Sequence, residues 1–266
     1  MAKRLETICF YLLYRRRASA KAFDYYHTNP RISDASKHLI IAKYSGMRIL
    51  LVLVQLAVCS ALIKLYGSQQ TRSPLINWYL YEDKIPFEQK PPRPNNHPFS
   101  QVPFLEDDNG VEVFESGAIL MYCFDAYRST GAAERAKYSK WIVWANSELD
   151  SVCFGKKMSG TSVDKPNVRS MDVLEDILSK TDYLVDNKFS IADVAVASYL
   201  NYVPVFFSNV NMSIRPNVAK YMLRCAEREN YSKAFGDEHA GLVISKAKIW
   251  ASGSGDGNSK KKNSFW

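Results

Sequence analysis

The sequence predicts a two-part fold, a small mixed α/β domain over residues 62–127 followed by an all-helical bundle over residues 132–250. Three observations carry the prediction. Asn109-Gly110 stands between two β-type runs, a strong hairpin signal. From Ala132 onward apolar residues recur three or four apart, the helical period. Val194–Leu200 is apolar on every side, as the central helix of a bundle must be.

In chain order, Leu62–Tyr66 is a short strand stopped by Gly67. Ser73–Glu82 is a helix, with Leu75, Trp78, Tyr79 and Glu82 on one face. Ile85-Pro86-Phe87 starts an extended piece. The stretch PPRPNNHP holds four prolines in eight residues and cannot be a regular helix. Pro103–Asp107 and Val111–Phe114 are the arms of the hairpin, and its two turn residues, Asn109 and Gly110, are expected at positive φ. Gly117–Tyr127 is a helix. This β-α-β-loop-β-β-α order is thioredoxin-like. In the second part Tyr138, Trp141, Ala145, Leu149 and Val152 mark one helix, and Val173, Leu174, Ile177 and Leu178 mark another. Ser190-Ile-Ala-Asp193 is a capping box variant ahead of the apolar helix, with Phe189 placed to staple onto Val194. Arg215-Pro216 opens a further helix.

The chain has 266 residues, 47% hydrophobic and 23% charged, with a net charge of +8. The positive charge sits at the ends. Residues 1–46 carry nine Lys/Arg against three Asp/Glu, and the tail 251–266 carries three Lys against one Asp. A basic face on a folded domain is therefore not indicated, and no nucleic-acid partner is expected. The five cysteines (Cys9, Cys59, Cys123, Cys153 and Cys225) are widely spaced without a CxxC pair. That spacing argues against a disulfide framework and a zinc site, and for free thiols in a reducing compartment.

Residues 1–61 form an extension. Its Arg-rich, acid-poor first part has the character of an organelle-targeting presequence, or of an extension without a fold of its own. The apolar run 49–63, ILLVLVQLAVCSALI, is shorter than the roughly twenty residues a spanning helix needs. Read from Met47 it has the shape of a signal-peptide core; otherwise it is an anchor or an element packed on the domain that follows. Cytoplasm and plastid are the compartments this suggests. The Gly/Ser-rich and then basic tail from Ala251 lacks the apolar content to pack.

Three segments, TRSPLINWYLYEDKIPFE, HPFSQVPFLEDDNGVEVFESGAILMY and FSIADVAVASYL, occur in this order and resemble those of glutathione S-transferases. They are most similar to members from cyanobacteria and plastid-bearing eukaryotes, where a WYL segment follows the catalytic loop. The resemblance spans Leu62 to about Trp250. It implies the glutathione-transferase fold, glutathione as co-substrate, a hydrophobic electrophile as second substrate, no metal, and a homodimer. It also implies a cis bond at Val102-Pro103, which frees the Val102 backbone to pair with the cysteinyl part of glutathione as an added strand would. Ser116, at a helix N-terminus, suits the γ-glutamyl carboxylate, and Glu115 its ammonium. Gln101 matches a position that contacts the glycyl carboxylate. In the loop Gly67–Ser73 the family's catalytic serine position holds Thr71, followed by Arg72. A hydroxyl from Thr71 or Ser68 and the charge of Arg72 are the means of holding glutathione as the nucleophilic thiolate; Ser73 is a further hydroxyl within reach. Ordinary helix capping by Thr71 and Ser116 is the competing reading of the same residues. The ten residues between Phe87 and Pro98 are shorter than in many transferases, so a more open glutathione site is expected. Tyr138, Trp141, Trp144 and Phe154, with Tyr202, Phe206 and Phe207, are the candidates for the second-substrate pocket or for simple helix packing. A non-catalytic binding or scaffold module, tethered through residues 49–63, is the alternative function.

Overall fold

The computed structural model describes residues 63–94, 96–128 and 131–253. The basic extension, the apolar run up to Leu62, Asn95, residues 129–130 and the tail beyond Gly253 lie outside the described residues. Ile63, the last residue of the apolar run, is the buried first residue of strand β1 (Ile63–Tyr66), where Ile63 and Leu65 face the core.

Helix α1 (Ser73–Glu82) has the bounds its apolar spacing gives, and Pro74 in its first turn costs no hydrogen bond. It crosses from β1 to the parallel strand β2 (Phe87–Lys90). Strands β3 (Phe104–Glu106) and β4 (Glu112–Phe114) add as an antiparallel hairpin, giving the sheet order β2-β1-β3-β4. The hairpin turn differs from the expected two-residue form. Gly110 alone is left-handed, at φ 76°, and its N–H donates to the Asp107 carbonyl. That is a turn closed by a glycine bulge. Asp107 selects it: its carboxylate accepts from the backbone N–H groups of Asn109 and Val111 and from the Tyr122 hydroxyl. Helix α2 (Ser116–Tyr127) completes the thioredoxin-like unit.

The second part is all helical: α3 (Ala132–Trp144), α4 (Asp150–Phe154), α5 (Arg169–Leu178), α6 (Ile191–Phe206), α7 (Pro216–Ala226), α8 (Glu229–Phe235) and α9 (Asp237–Ala251). Between α3 and α4 the chain widens into one π-helical turn, Ala145–Leu149. Every residue of α6 from Ile191 to Pro204 is buried, so α6 is the axis of the bundle. Its capping box is present. Asp193 accepts from the Ser190 N–H and hydroxyl and from the Leu184 N–H, and Tyr221 donates to it at 3.1 Å. Burial raises the Asp193 carboxyl to about 6 against these bonds.

Trp78 on α1 joins the two parts. It is wholly buried and meets the rings of Phe189, Tyr231 and Phe235 at 5.0–6.1 Å. Beside it Arg228 holds Glu82 through two hydrogen bonds of 2.8 and 2.7 Å while lying 3.7 Å from the Phe189 ring. Among the described residues no helix is long and apolar enough to cross a membrane.

Candidate functional site

Strand register gathers the site. Tyr66 pairs with Phe104, and Phe104 pairs with Phe114, so the last residue of β1, the first of β3 and the last of β4 form one row. The loop Gly67–Arg72, the segment Gln101–Pro103 and the Glu115-Ser116 junction therefore emerge from the same end of the sheet. Tight packing keeps the first loop there. A Cβ on Gly67 would stand 1.6 Å from the Ser73 Oγ, so only glycine lets the chain fold over the start of α1.

The Val102-Pro103 bond is cis, and among the described residues neither the N–H nor the C=O of Val102 has a hydrogen-bond partner. Gln101 beside it is exposed. His97 in the preceding loop is buried against Phe99, Phe104 and Phe114, and its Nδ1 accepts from the Phe99 N–H; it is part of the packing.

Glu115 is held at φ 67°, a left-handed conformation unfavourable for a non-glycine residue, and its carboxylate is exposed with no ion-pair partner among the described residues. Ser116 follows as the first residue of α2 and is buried. No side chain caps this helix, so the N–H groups of its first turn point outward unused. The capping reading of Ser116 thus finds no capping bond, and the junction has the donors of an anion site.

Thr71 is differently placed. Its hydroxyl donates to the Ser68 carbonyl at 2.7 Å, accepts from the Ser73 N–H at 3.1 Å, and lies 2.9 Å from the Ser73 Oγ. The single proton of Thr71 is directed into its own loop. The Ser68 hydroxyl, half-buried, makes no hydrogen bond among the described residues. Arg72 reaches across to the helical part. It pairs with Asp150, donates to the Tyr199 hydroxyl at 3.3 Å, and lies over the rings of Tyr199 and Phe154 at 5.1 and 5.6 Å. Tyr202 donates to the Thr71 carbonyl at 2.9 Å, fixing the loop from the same side.

Among the apolar candidates the structure separates two groups. Phe154, Tyr202 and Phe206 form a continuous wall with Tyr199 beside Arg72, with Phe154–Phe206 and Tyr202–Phe206 ring distances of 6.1 and 5.9 Å, and Phe206 is 53% exposed. Tyr138 lies against Phe124, at the C-terminal end of α2, and lines a cavity of about 440 Å³ with Tyr79, Arg128 and Arg228. That is the opposite end of α2 from Ser116. Trp141 and Trp144 pack edge to face on each other. At about 100° per residue they project from α3 away from the side that carries Asn146 toward Ser116.

Sequence reasoning missed Asn146, Asp150 and Tyr199. Tyr199 and Tyr202, two phenolic hydroxyls on the buried central helix, were the available signal, since buried tyrosines need polar partners. Asn146 had none.

A family model described as the glutathione S-transferase N-terminal domain matches residues 61–124, and one described as the C-terminal domain matches residues 149–229. Glutathione S-transferase 1 of Schizosaccharomyces pombe is 30% identical over 181 residues, covering 60% of this chain and 76% of the relative. A glutathione S-transferase domain-containing protein of Dictyostelium discoideum is 30% identical over 156 residues, 50% of this chain; the chain spans 59% of that relative's length. Elongation factor 1-gamma of Carassius auratus is 25% identical over 227 residues, covering 79% of this chain and 45% of its own. Among solved structures, a glutathione transferase from Methylococcus capsulatus superposes with a TM-score of 0.56 at 21% identity, covering 68% of this chain and all of its own. A Phanerochaete chrysosporium glutathione transferase with oxidized glutathione gives 0.56 at 18% identity, covering 69% of this chain and 97% of its own.

Proposed function

The chain belongs to the glutathione S-transferase family, and from that premise we propose that it binds glutathione across the shared end of the sheet and delivers its sulfur to a hydrophobic electrophile, by conjugation or reduction. The convergence of the unpaired Val102 backbone, the uncapped start of α2 with Ser116, and the unpaired Glu115 carboxylate at one sheet end carries this reading. A strand-like edge suits the peptide part of glutathione, the helix N-terminus its γ-glutamyl carboxylate, and Glu115 its ammonium. In this reading Gln101 contacts the glycyl end, Ser68 and Arg72 stabilise the thiolate, and the Phe154–Phe206 wall takes the electrophile. The likeness to plastid-type members rests on the Trp78-Tyr79-Leu80 segment. Exposed Phe99, packed on exposed Phe114, supports a homodimer buried on this edge.

Thermal stabilisation by millimolar glutathione, with turnover of a chloronitroaromatic electrophile, tests the proposal. Glu115→Ala and Ser116→Ala should each weaken binding about tenfold. No stabilisation of the unmodified chain sinks it. The committed Thr71 hydroxyl and the similarity to elongation factor 1-gamma favour one second reading, a binding module without turnover. Stabilisation without conjugation at any pH from 6 to 9 would select it.

A further inference from the structure

Resting on the glutathione reading above, we propose that Asn146 is a positioning residue that fixes the polarity of the Ser116 hydroxyl, so that the head of α2 accepts a carboxylate and rejects a donor group.

The chain of hydrogen bonds runs from Arg72 to Ser116. Arg72 can only donate, and its Nη1 donates to the Tyr199 oxygen at 3.3 Å. Burial keeps Tyr199 protonated, so its O–H donates onward to the Asn146 Oδ1 at 3.1 Å. The amide is thereby oriented, and its Nδ2 donates to the Ser116 Oγ at 3.4 Å. The Ser116 oxygen accepts that bond on its inner side, where its own proton can otherwise reach only the Tyr199 oxygen, which already accepts from Arg72; a carboxylate at the head of α2 draws the proton outward, alongside the unused N–H groups of the first turn. All donors at this point face the ligand, which is the complement of a carboxylate.

Two further features serve this contact. Gly117 is the only residue type that permits it, because a Cβ there would stand 2.7 Å from the Asn146 Nδ2 and 3.2 Å from Ile142. The π-helical turn Ala145–Leu149 contains Asn146, and Asp150, the partner of Arg72, follows it directly. Widened turns of this kind concentrate at functional positions.

The experiment is calorimetric binding of glutathione to the full chain, with no dependence on turnover. Asn146→Asp keeps the size but offers only acceptors, so Ser116 turns its proton inward and its lone pairs outward. Asn146→Ala leaves Ser116 free to rotate. The expected order is a loss of about tenfold or more for Asn146→Asp and about threefold for Asn146→Ala, each with unchanged melting temperature within a few degrees. In a Ser116→Ala background the two should differ by less than twofold, since both act through that hydroxyl. Tyr199→Phe, which removes the donor orienting the amide, should weaken binding severalfold without altering packing, and it serves if an Asn146 variant does not fold. Asn146→Ala binding more weakly than Asn146→Asp, an Asn146→Asp loss that persists without the Ser116 hydroxyl, or unchanged affinity of Tyr199→Phe each overturns the inference while leaving glutathione binding intact. Absence of binding by the unmodified chain overturns both.

Discussion

At Thr71 one proton decides between two roles. It goes to the Ser68 carbonyl, and the oxygen accepts from the Ser73 N–H, so the residue holds the loop together. Thr71→Val should cost about 1 kcal/mol by chemical denaturation, as loss of a capping hydroxyl does, and Thr71→Ser should restore it. Ser68→Ala removes a hydroxyl with no partner among the described residues and should leave stability unchanged. A fall in conjugation rate in Ser68→Ala at constant stability would then assign the thiol contact to Ser68. An unchanged rate would remove it. A second residue sets the acid limit. Burial among Tyr202, Tyr231 and Phe235 pushes His239 down to about 4 from its ordinary 6.5. The folded chain thus binds this proton less readily than the unfolded one. Stability from His239 is complete above about pH 6.5 and drains away as pH falls toward 4. The buried Asp193, raised to about 6, pulls the other way across the same interval, because acid favours its folded, protonated form. His239→Gln should therefore lose less stability than the parent between pH 7 and pH 4.5, by on the order of 2 kcal/mol in urea titrations. Identical losses would show that His239 does not titrate in this range. Such residue roles were only partly legible. Val102-Pro103 and Glu115-Ser116 announce themselves in local sequence, whereas the Thr71 hydroxyl's direction depends on a carbonyl three residues back.

Among the elements, those built from local rules could be read from the chain. The bounds of α1 follow from its apolar spacing and Pro74, and the capping box foretold where α6 begins. Replacing Asp193 by Ala should remove the partner of four donors at that start and cost about 3 kcal/mol, seen as a lower denaturation midpoint with an unchanged slope. A loss under 1 kcal/mol would mean water takes its place. Elements shaped by distant contacts were hidden. The hairpin turn was set by the Asp107 side chain and Tyr122, which an Asn-Gly pair does not reveal. The π-helical turn carries Asn146, which bonds residues 30 and 53 positions away, and the local apolar spacing of Ala145 and Leu149 runs through it as if it were α-helix.

For the whole molecule, Trp78 matters most. Its burial against Phe189, Tyr231 and Phe235, with the Glu82–Arg228 pair beside it, makes the small domain and the bundle share one core. Calorimetry should show a single cooperative transition. Trp78→Ala should cost about 3–5 kcal/mol and split that transition in two, the small domain melting first. One undivided transition in the variant would show that the interface contributes little. This seam also constrains how the chain is made. Glu82 and Arg228 are 146 residues apart, so at roughly 5–20 residues per second the ribosome exposes Trp78 on the order of ten seconds or more before α8 emerges to cover it. For that interval α1 carries an open aromatic face in a crowded solution. Nascent chains stalled before residue 229 should be the ones that chaperones hold, and release should come with the synthesis of α8 and α9.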